Sequence, residues 1–200
     1  MTKIKICGLS RPQDICAVNA AAVDYIGFIF APSKRRITLE QAAILKAELT
    51  AGITAVGVFV NAAPEFIMQA VAQDIIAAIQ LHGEESEVYI TDLRRLTKLP
   101  IIKAFGVSNI ADIAAAQASS ADYILLDYKQ AGSGQSFDWQ LLEHIQRPYF
   151  LAGGLNIHNI PAALSHQPFA LDISSGVETD GCKDMNKIAQ IVRRIRHEQG

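Results

Sequence analysis

The chain has 200 residues and a formal net charge of −2 at neutral pH, with 50% hydrophobic and 19% charged residues, which is an ordinary globular composition. This length suits one domain with a sizeable core. The charge balance gives no basic footprint for nucleic acid or an anionic membrane, and no apolar run approaches the ~18 residues of a transmembrane helix.

The three cysteines, Cys7, Cys16 and Cys182, do not have the spacing of metal ligands. The first twenty residues lack the basic, apolar and small-residue regions of a signal peptide. We therefore predict a reduced, cytoplasmic, soluble protein without a metal site. Cys16 and Cys182 are expected to be inert.

The chain opens on a predicted strand that ends at a cysteine. Lysine and isoleucine alternate from Lys3 to Ile6, and this period of two is typical of a strand. Gly8 provides the backbone freedom for the turn that follows. Cys7 should therefore lie at the carboxyl end of the strand, where barrels and open α/β sheets place their chemistry.

Helices and strands then alternate along the rest of the chain. Apolar runs predict the strands, and mixed polar and apolar patterns predict the helices. Ser10 is the candidate cap of the first helix, with Pro12 in its first turn. The predicted elements, beginning with that helix, are 12–22, 25–30, 38–51, 54–60, 64–73, 78–81, 86–97, 100–105, 109–117, 123–127, 138–144, 149–152, 156–164, 169–173 and 184–197.

Eight strand–helix units predict an α/β protein with a parallel eight-stranded core closed into a single (β/α)8 TIM barrel. We expect residues 1–200 to form this one domain, with the active site at the C-terminal ends of the strands. A doubly wound open sheet is the competing architecture.

Polar residues and glycines mark the predicted strand ends. Cys7 and Asp127, on strands one and six, would face each other across the barrel mouth, as a general base and a general acid would. Lys5 would share the face of Cys7 and favour its thiolate, although burial alone would raise the thiol pKa. The alternative interpretations are an inert thiol for Cys7 and a helix cap or surface ion pair for Asp127. The other strand-end candidates are Arg36, Asn61, His82, Gly153, Gly154, Asp172, Ser174, Ser175 and Gly176.

Two glycine-containing turns predict a phosphate site. Gly153 and Gly154 follow the seventh strand, and Ser175 and Gly176 follow the eighth, where barrels often bind phosphate through backbone N–H groups. Glycines that only make tight turns are the plainer interpretation. The glycines at 132 and 134 match a nucleotide-binding fingerprint only weakly and are interpreted as a flexible lid.

These residues resemble the N-(5′-phosphoribosyl)anthranilate isomerase family of tryptophan biosynthesis. The resemblance runs from end to end of the chain in the family's order, and the segments together are far more specific than any one. The matching segments are Lys5-Ile6-Cys7-Gly8-Leu9, Gly27-Phe28-Ile29-Phe30, Gly57-Val58-Phe59-Val60-Asn61, Gln80-Leu81-His82-Gly83, Leu126-Asp127, Phe137-Asp138-Trp139, Leu151-Ala152-Gly153-Gly154-Leu155 and 172–178.

The resemblance implies a (β/α)8 barrel that converts an aminoaldose into an aminoketose by an Amadori rearrangement, without a cofactor. It implies that Cys7 takes the proton from ribose C2′ and that Asp127 protonates the ring oxygen. A base suited to this task has a pKa near the working pH, and a perturbed thiol can reach about 7. Arg36 would hold the anthranilate carboxylate, with Arg35 as its substitute. The other implied contacts are His82 with the substrate, Asp172 with the ribose hydroxyls, and Gly153, Gly154, Ser175 and Gly176 with the phosphate.

The implied partner is a small phosphosugar substrate, and the resemblance leaves open an association with neighbouring tryptophan-pathway enzymes. Three other functions remain as alternatives. One is a histidine-pathway phosphosugar isomerase, although that enzyme uses two aspartates and Cys7 stands where it has one of them. Another is an aldolase with Lys103 as its Schiff-base lysine. The last is a catalytically silent phosphate-binding barrel.

Overall fold

The computed structural model describes residues 1–128 and 137–199. Eight parallel strands pair in chain order, and the first also pairs with the last, so the sheet closes into a barrel. This closure confirms the predicted barrel and excludes the open sheet. The strands are β1 Lys3–Cys7, β2 Tyr25–Ile29, β3 Thr54–Phe59, β4 Ala78–Leu81, β5 Ile101–Val107, β6 Tyr123–Tyr128, β7 Tyr149–Leu151 and β8 Ala170–Ile173.

The helices lie between the strands on the outside of the barrel. A 3-10 helix at Trp139–His144 takes the place of the predicted helix after β6. No helix among the described residues is long and apolar enough to cross a membrane. The α-helices are α1 Pro12–Ala21, α2 Leu39–Ala47, α3 Pro64–Ala72, α4 Glu87–Leu96, α5 Ile110–Ala118, α6 Ile160–Ser165 and α7 Met185–His197.

α1 begins at Pro12 as predicted, but its predicted cap and the predicted start of α6 were wrong, because side chains compete for backbone groups. Arg11, not Ser10, is the N-cap residue of α1, and the Asp14 carboxylate accepts the N–H groups of both. The helix predicted from residue 156 begins only at Ile160. The Asn156 side chain accepts the N–H of His158, which holds residues 156–159 in a turn.

A small hairpin outside the barrel was missed by the sequence analysis. β9, Glu178–Thr179, runs antiparallel to β10, Cys182–Lys183. Asp180 and Gly181 between them have positive φ values of 52° and 75°. Aspartate followed by glycine is a known signal for a two-residue hairpin turn, but strands of two residues are too short to show a period of two.

The alternation along β1 separates two cores. Ile4 and Ile6 are buried in the large core between the sheet and the helices, whereas Lys5 points into the barrel and is fully buried. Lys3, at the opposite end of the strand from Cys7, pairs with Asp24 at the surface. The inner core of the barrel consists of Val56, Ala78, Ile102, Ala104, Leu125, Phe150, Ala152 and Ala170.

The glycines at 132 and 134, interpreted above as a flexible lid, lie outside the described residues, as does most of the long loop predicted over 128–137.

Candidate active site

One cavity of about 390 Å³ opens at the carboxyl ends of the barrel strands. Seven of the nine predicted site residues lie in its wall, and Arg36 and Gly176 do not. Parallel strands bring their carboxyl ends to one rim, which is why residues far apart in the sequence meet here. The seven are Cys7, His82, Asp127, Gly153, Gly154, Asp172 and Ser175.

Cys7 lies beside a buried ion pair. The Lys5 ammonium donates to Asp172 Oδ2 over 2.9 Å, and the Lys5 side chain has no exposed surface. Gly27 leaves room for the thiol, because a Cβ at that position would lie 2.6 Å from Cys7 Sγ. The thiol is therefore fixed by close packing at the end of β1.

Burial and the charged groups around Cys7 shift its pKa in opposite directions. Burial raises the pKa of the Cys7 thiol, the Lys5 ammonium lowers it, and the Asp172 carboxylate raises it again. The net effect is a raised pKa, so Lys5 acts against burial as predicted but does not overcome it.

We expect Lys5→Met to raise the Cys7 pKa further, because it removes the ammonium group that favours the thiolate. The measurement is the pH dependence of the reaction of Cys7 with a thiol reagent, with Cys16 and Cys182 changed to serine so that one thiol reports. Melting curves establish that the variant is folded. An unchanged profile would show that Lys5 does not control the thiol.

Asp172 lines the cavity, and one of its carboxylate oxygens is unpaired within the described part of the chain. Its Oδ2 is held by Lys5, while its Oδ1 is buried and has no hydrogen-bond partner among the described residues. An unpaired buried acceptor is costly, so such an atom in a cavity wall points to a ligand donor such as a hydroxyl group.

Asp127 lies near the end of β6, across the barrel mouth from Cys7. Its Oδ1 accepts the N–H of Tyr128 over 2.7 Å, and its Oδ2 lies 3.6 Å from His82 Nε2. His82 Nδ1 in turn bonds to the Gln80 amide nitrogen over 2.8 Å. Gln80 also lines the cavity and was not predicted as a site residue. A polar side chain two residues before His82 on an apolar strand was the available signal.

The predicted phosphate turns lie side by side in the structure. Gly153 and Gly154 have positive φ values of 91° and 61°, and the turn after β8 forms a short 3-10 helix, Ser175–Val177. Backbone N–H groups in such turns form concave anion sites. Gly176 lies behind the wall, and a Cβ there would be 1.9 Å from the Leu155 carbonyl oxygen. The close contact between the two turns thus explains why position 176 is a glycine.

The structure places Arg35 in the cavity wall, whereas Arg36 is exposed and lies outside it. Arg35 lies in a turn in which the Arg36 N–H donates to the Ser33 carbonyl oxygen over 3.3 Å, and the Arg36 backbone then continues beside the end of β2 in a bridge with Ile29. Gly8 makes room for the Arg35 stem, since a Cβ there would lie 2.5 Å from Arg35 Cδ. The geometry therefore favours Arg35 over the predicted Arg36 as an anion ligand.

Lys103 is engaged in a different network. Its ammonium donates to the Gly83 carbonyl over 2.5 Å and pairs with Glu85 over 3.1 Å, and its side chain is 6% exposed. Schiff-base chemistry needs a lysine nitrogen that is free to attack a carbonyl carbon, whereas the Lys103 nitrogen is occupied by these contacts. The position of Lys103 thus argues against the aldolase alternative.

Among residues 1–128 and 137–199, no group of three or more His, Cys, Asp or Glu side chains is placed to hold a metal ion. The polar groups of the cavity include two carboxylates, a thiol, an imidazole and a guanidinium group, beside turns with backbone N–H groups. With the barrel, they define a class: isomerases that act on a phosphorylated sugar by proton transfer.

The comparisons with known proteins identify the family. A family model described as "N-(5'phosphoribosyl)anthranilate (PRA) isomerase" matches residues 4–194. The chain therefore belongs to the N-(5′-phosphoribosyl)anthranilate isomerase family. The isomerase of that name from Endomicrobium trichonymphae is 44% identical over 201 residues, 98% of this chain and 99% of the relative.

Solved structures agree. Phosphoribosyl anthranilate isomerase from Thermotoga maritima is 37% identical, with a TM-score of 0.90 over 98% of this chain and 100% of that one. A second solved family structure, in complex with reduced 1-(o-carboxyphenylamino)-1-deoxyribulose 5-phosphate, is 35% identical, with a TM-score of 0.86 and the same coverage. The activity is phosphoribosylanthranilate isomerisation in tryptophan biosynthesis. This excludes the silent barrel and the histidine-pathway isomerase.

Proposed function

We propose that Cys7 and Asp127 carry out the two proton transfers of the rearrangement. Asp127 gives a proton to the ribose ring oxygen while the bond from that oxygen to C1′ breaks, and the amine lone pair forms a C1′=N bond. The Cys7 thiolate then removes the proton from C2′, and those electrons form the enolamine, which tautomerises to the ketone. Both groups work by general acid–base catalysis.

The observation that carries this proposal is that one cavity joins all the groups that such a substrate needs. The two proton-transfer residues lie on β1 and β6, and the glycine turns after β7 and β8 lie between them around the barrel. A phosphate on these turns would place the sugar between the thiol and the carboxylic acid. The unpaired Asp172 oxygen is then available to a ribose hydroxyl.

The opposite side of the cavity is suited to an aromatic acid. Ile29, Val58 and Val60 give this side an apolar surface, and Arg35 lies at its edge. An apolar surface next to a guanidinium group can hold the ring and the carboxylate of anthranilate together. The substrate would then span the mouth, with its phosphate at β7 and β8 and its ring at β2 and β3. His82, beside Asp127, would contact the sugar.

We expect Arg35→Met to raise KM by about 10- to 100-fold with a smaller change in kcat, because it removes a charge-assisted bond of about 1.5–3 kcal/mol. Arg36→Met is the matched control and should leave KM near the wild-type value, because its side chain lies outside the cavity. Phosphoribosylanthranilate formed in the cuvette serves as substrate, and loss of its anthranilate fluorescence gives the rate. A raised KM for Arg36→Met alone would return the role to Arg36.

Three broader expectations remain predictions: one domain over residues 1–200, a cytoplasmic location, and association with neighbouring tryptophan-pathway enzymes. Binding of a small phosphosugar-like ligand is supported by the family match and by the solved family complex.

A further inference from the structure

The hairpin formed by β9 and β10 carries two charged residues that the proposed mechanism leaves unused. Glu178 and Lys183 are paired in register on the two strands, and the Lys183 ammonium lies 2.6 Å from Glu178 Oε1. The side chain of Lys183 is only 1% exposed and that of Glu178 only 9%. Burying a cation is costly unless it is paired, so this arrangement calls for a reason.

Glu178 holds the arginine of the cavity wall. Arg35 donates through Nε and Nη2 to the two carboxylate oxygens of Glu178, over 2.7 and 2.8 Å. This contact uses one edge of the guanidinium group. Nη1 has no hydrogen-bond partner among the described residues, and Nη2 has a second hydrogen, so these two groups can bind a second carboxylate. Glu178 thus fixes the plane in which Arg35 can receive a ligand.

Lys183 holds the turn on the other side of the hairpin. Its ammonium donates to the Ser174 carbonyl oxygen over 2.9 Å, and the Ser174 hydroxyl donates to the carbonyl oxygen of Cys7 over 3.0 Å. Ser174 directly precedes Ser175 of the predicted phosphate turn, and both residues line the cavity. One network therefore connects Arg35 with the turn after β8 and with the end of β1.

The electrostatics are consistent with a stable network. Burial lowers the pKa of Lys183, and the Glu178 carboxylate acts against that fall. Burial of Glu178 is outweighed by Arg35 and Lys183, so the pKa of Glu178 is lowered and the carboxylate stays charged. One anion shared by two cations leaves a net positive charge at the cavity edge, which favours an anionic ligand.

We propose that Glu178 and Lys183 are positioning residues that hold Arg35 and the Ser174-Ser175 turn at a fixed separation. A substrate with a carboxylate at one end and a phosphate at the other would then bind both sites at once, without ordering either on arrival. This inference rests on the proposed function, in which Arg35 binds the carboxylate. It adds two residues that never touch the substrate but set where its two anionic ends bind.

The test combines steady-state kinetics with competitive inhibition by inorganic phosphate, which probes the phosphate turn alone. Glu178→Gln should raise KM about tenfold with a smaller change in kcat and leave phosphate inhibition nearly unchanged, because it loosens Arg35. Lys183→Met should raise KM and also weaken phosphate inhibition severalfold, because the Ser174 turn loses its anchor. Lys183→Arg, which keeps the cation, should restore part of both values.

Double variants show whether these effects pass through Arg35. With Arg35→Met already present, Glu178→Gln should cause little further rise in KM, whereas Lys183→Met should still weaken phosphate inhibition. Arg94→Met is the matched control, since it removes a cation paired with Asp122 on the outside of the barrel and should change neither value. Melting temperatures monitor folding, and Lys183→Met leaves Glu178 paired with Arg35.

Two results would overturn the positioning role. One is an unchanged KM in Glu178→Gln, and the other is strictly additive effects of Glu178→Gln and Arg35→Met. Failure of the proposed function looks different: Arg35→Met itself would leave KM unchanged, while Lys183→Met would still weaken phosphate inhibition.

Discussion

Replacing Cys7 by serine is expected to lower kcat by about 10²- to 10⁴-fold, the usual contribution of a general base. Serine keeps the size and position of the side chain, but its hydroxyl group is a far poorer base than a thiolate near neutral pH. The loss should be chemical rather than structural, because the serine hydroxyl is slightly smaller than the thiol and fits the space that Gly27 leaves for it. The measurement is the decay of phosphoribosylanthranilate fluorescence at saturating substrate.

The other two cysteines provide matched controls. Cys16 and Cys182 are exposed, and neither lies in the cavity wall. Cys16→Ser and Cys182→Ser should therefore keep kcat within about twofold of the wild type, since surface changes have small effects. Near-normal turnover in Cys7→Ser would keep the family activity and move the base to another residue.

The raised pKa of Cys7 gives this prediction a pH dependence with a defined sign. The thiolate is the reactive form, and burial holds the thiol pKa above its ordinary value, so the thiolate fraction of the free enzyme increases as the pH rises. The Cys7 ionisation should therefore appear in kcat/KM as an increase towards alkaline pH. That increase should disappear in Cys7→Ser.

Much of the fold was predictable because it repeats. Eight similar units leave few closed topologies, and the alternation along β1 was enough to place Lys5 in the barrel beside Cys7. Because barrel sites lie at the strand ends, Cys7, Asp127 and Asp172 could be predicted to share one site, and they line one cavity. These inferences depend only on strand direction and on the period of two.

The features that the sequence did not predict depend on loop conformation and on opposing electrostatic effects. The choice between Arg35 and Arg36 follows from the backbone path after β2, which no periodic pattern describes. The hairpin with Glu178 and Lys183 is too short for its strands to be recognised. Burial, Lys5 and Asp172 shift the pKa of Cys7 in different directions, and the direction of the net shift depends on distances in the folded chain.

Replacing Asp127 by asparagine is expected to lower kcat by a similar 10²- to 10⁴-fold, a typical range for a general acid (about 3–5 kcal/mol). The amide keeps the shape of the side chain and an oxygen that can accept the Tyr128 N–H, but it has no acidic proton for the ring oxygen. Asp92→Asn is the matched control, because Asp92 is an exposed carboxylate on α4 outside the cavity. It should keep normal turnover.

A substrate carrying deuterium at C2′ separates the two roles. Cys7→Ser slows the removal of the C2′ proton, so a primary isotope effect on kcat should be fully expressed in that variant. Asp127→Asn slows the earlier ring opening, so the same isotope effect should fall towards one, because breaking the C2′ bond no longer limits the rate. Equal isotope effects in the two variants would mean that Asp127 does not act on the ring oxygen. They would place both residues in the same proton transfer, with Asp127 holding the substrate for Cys7.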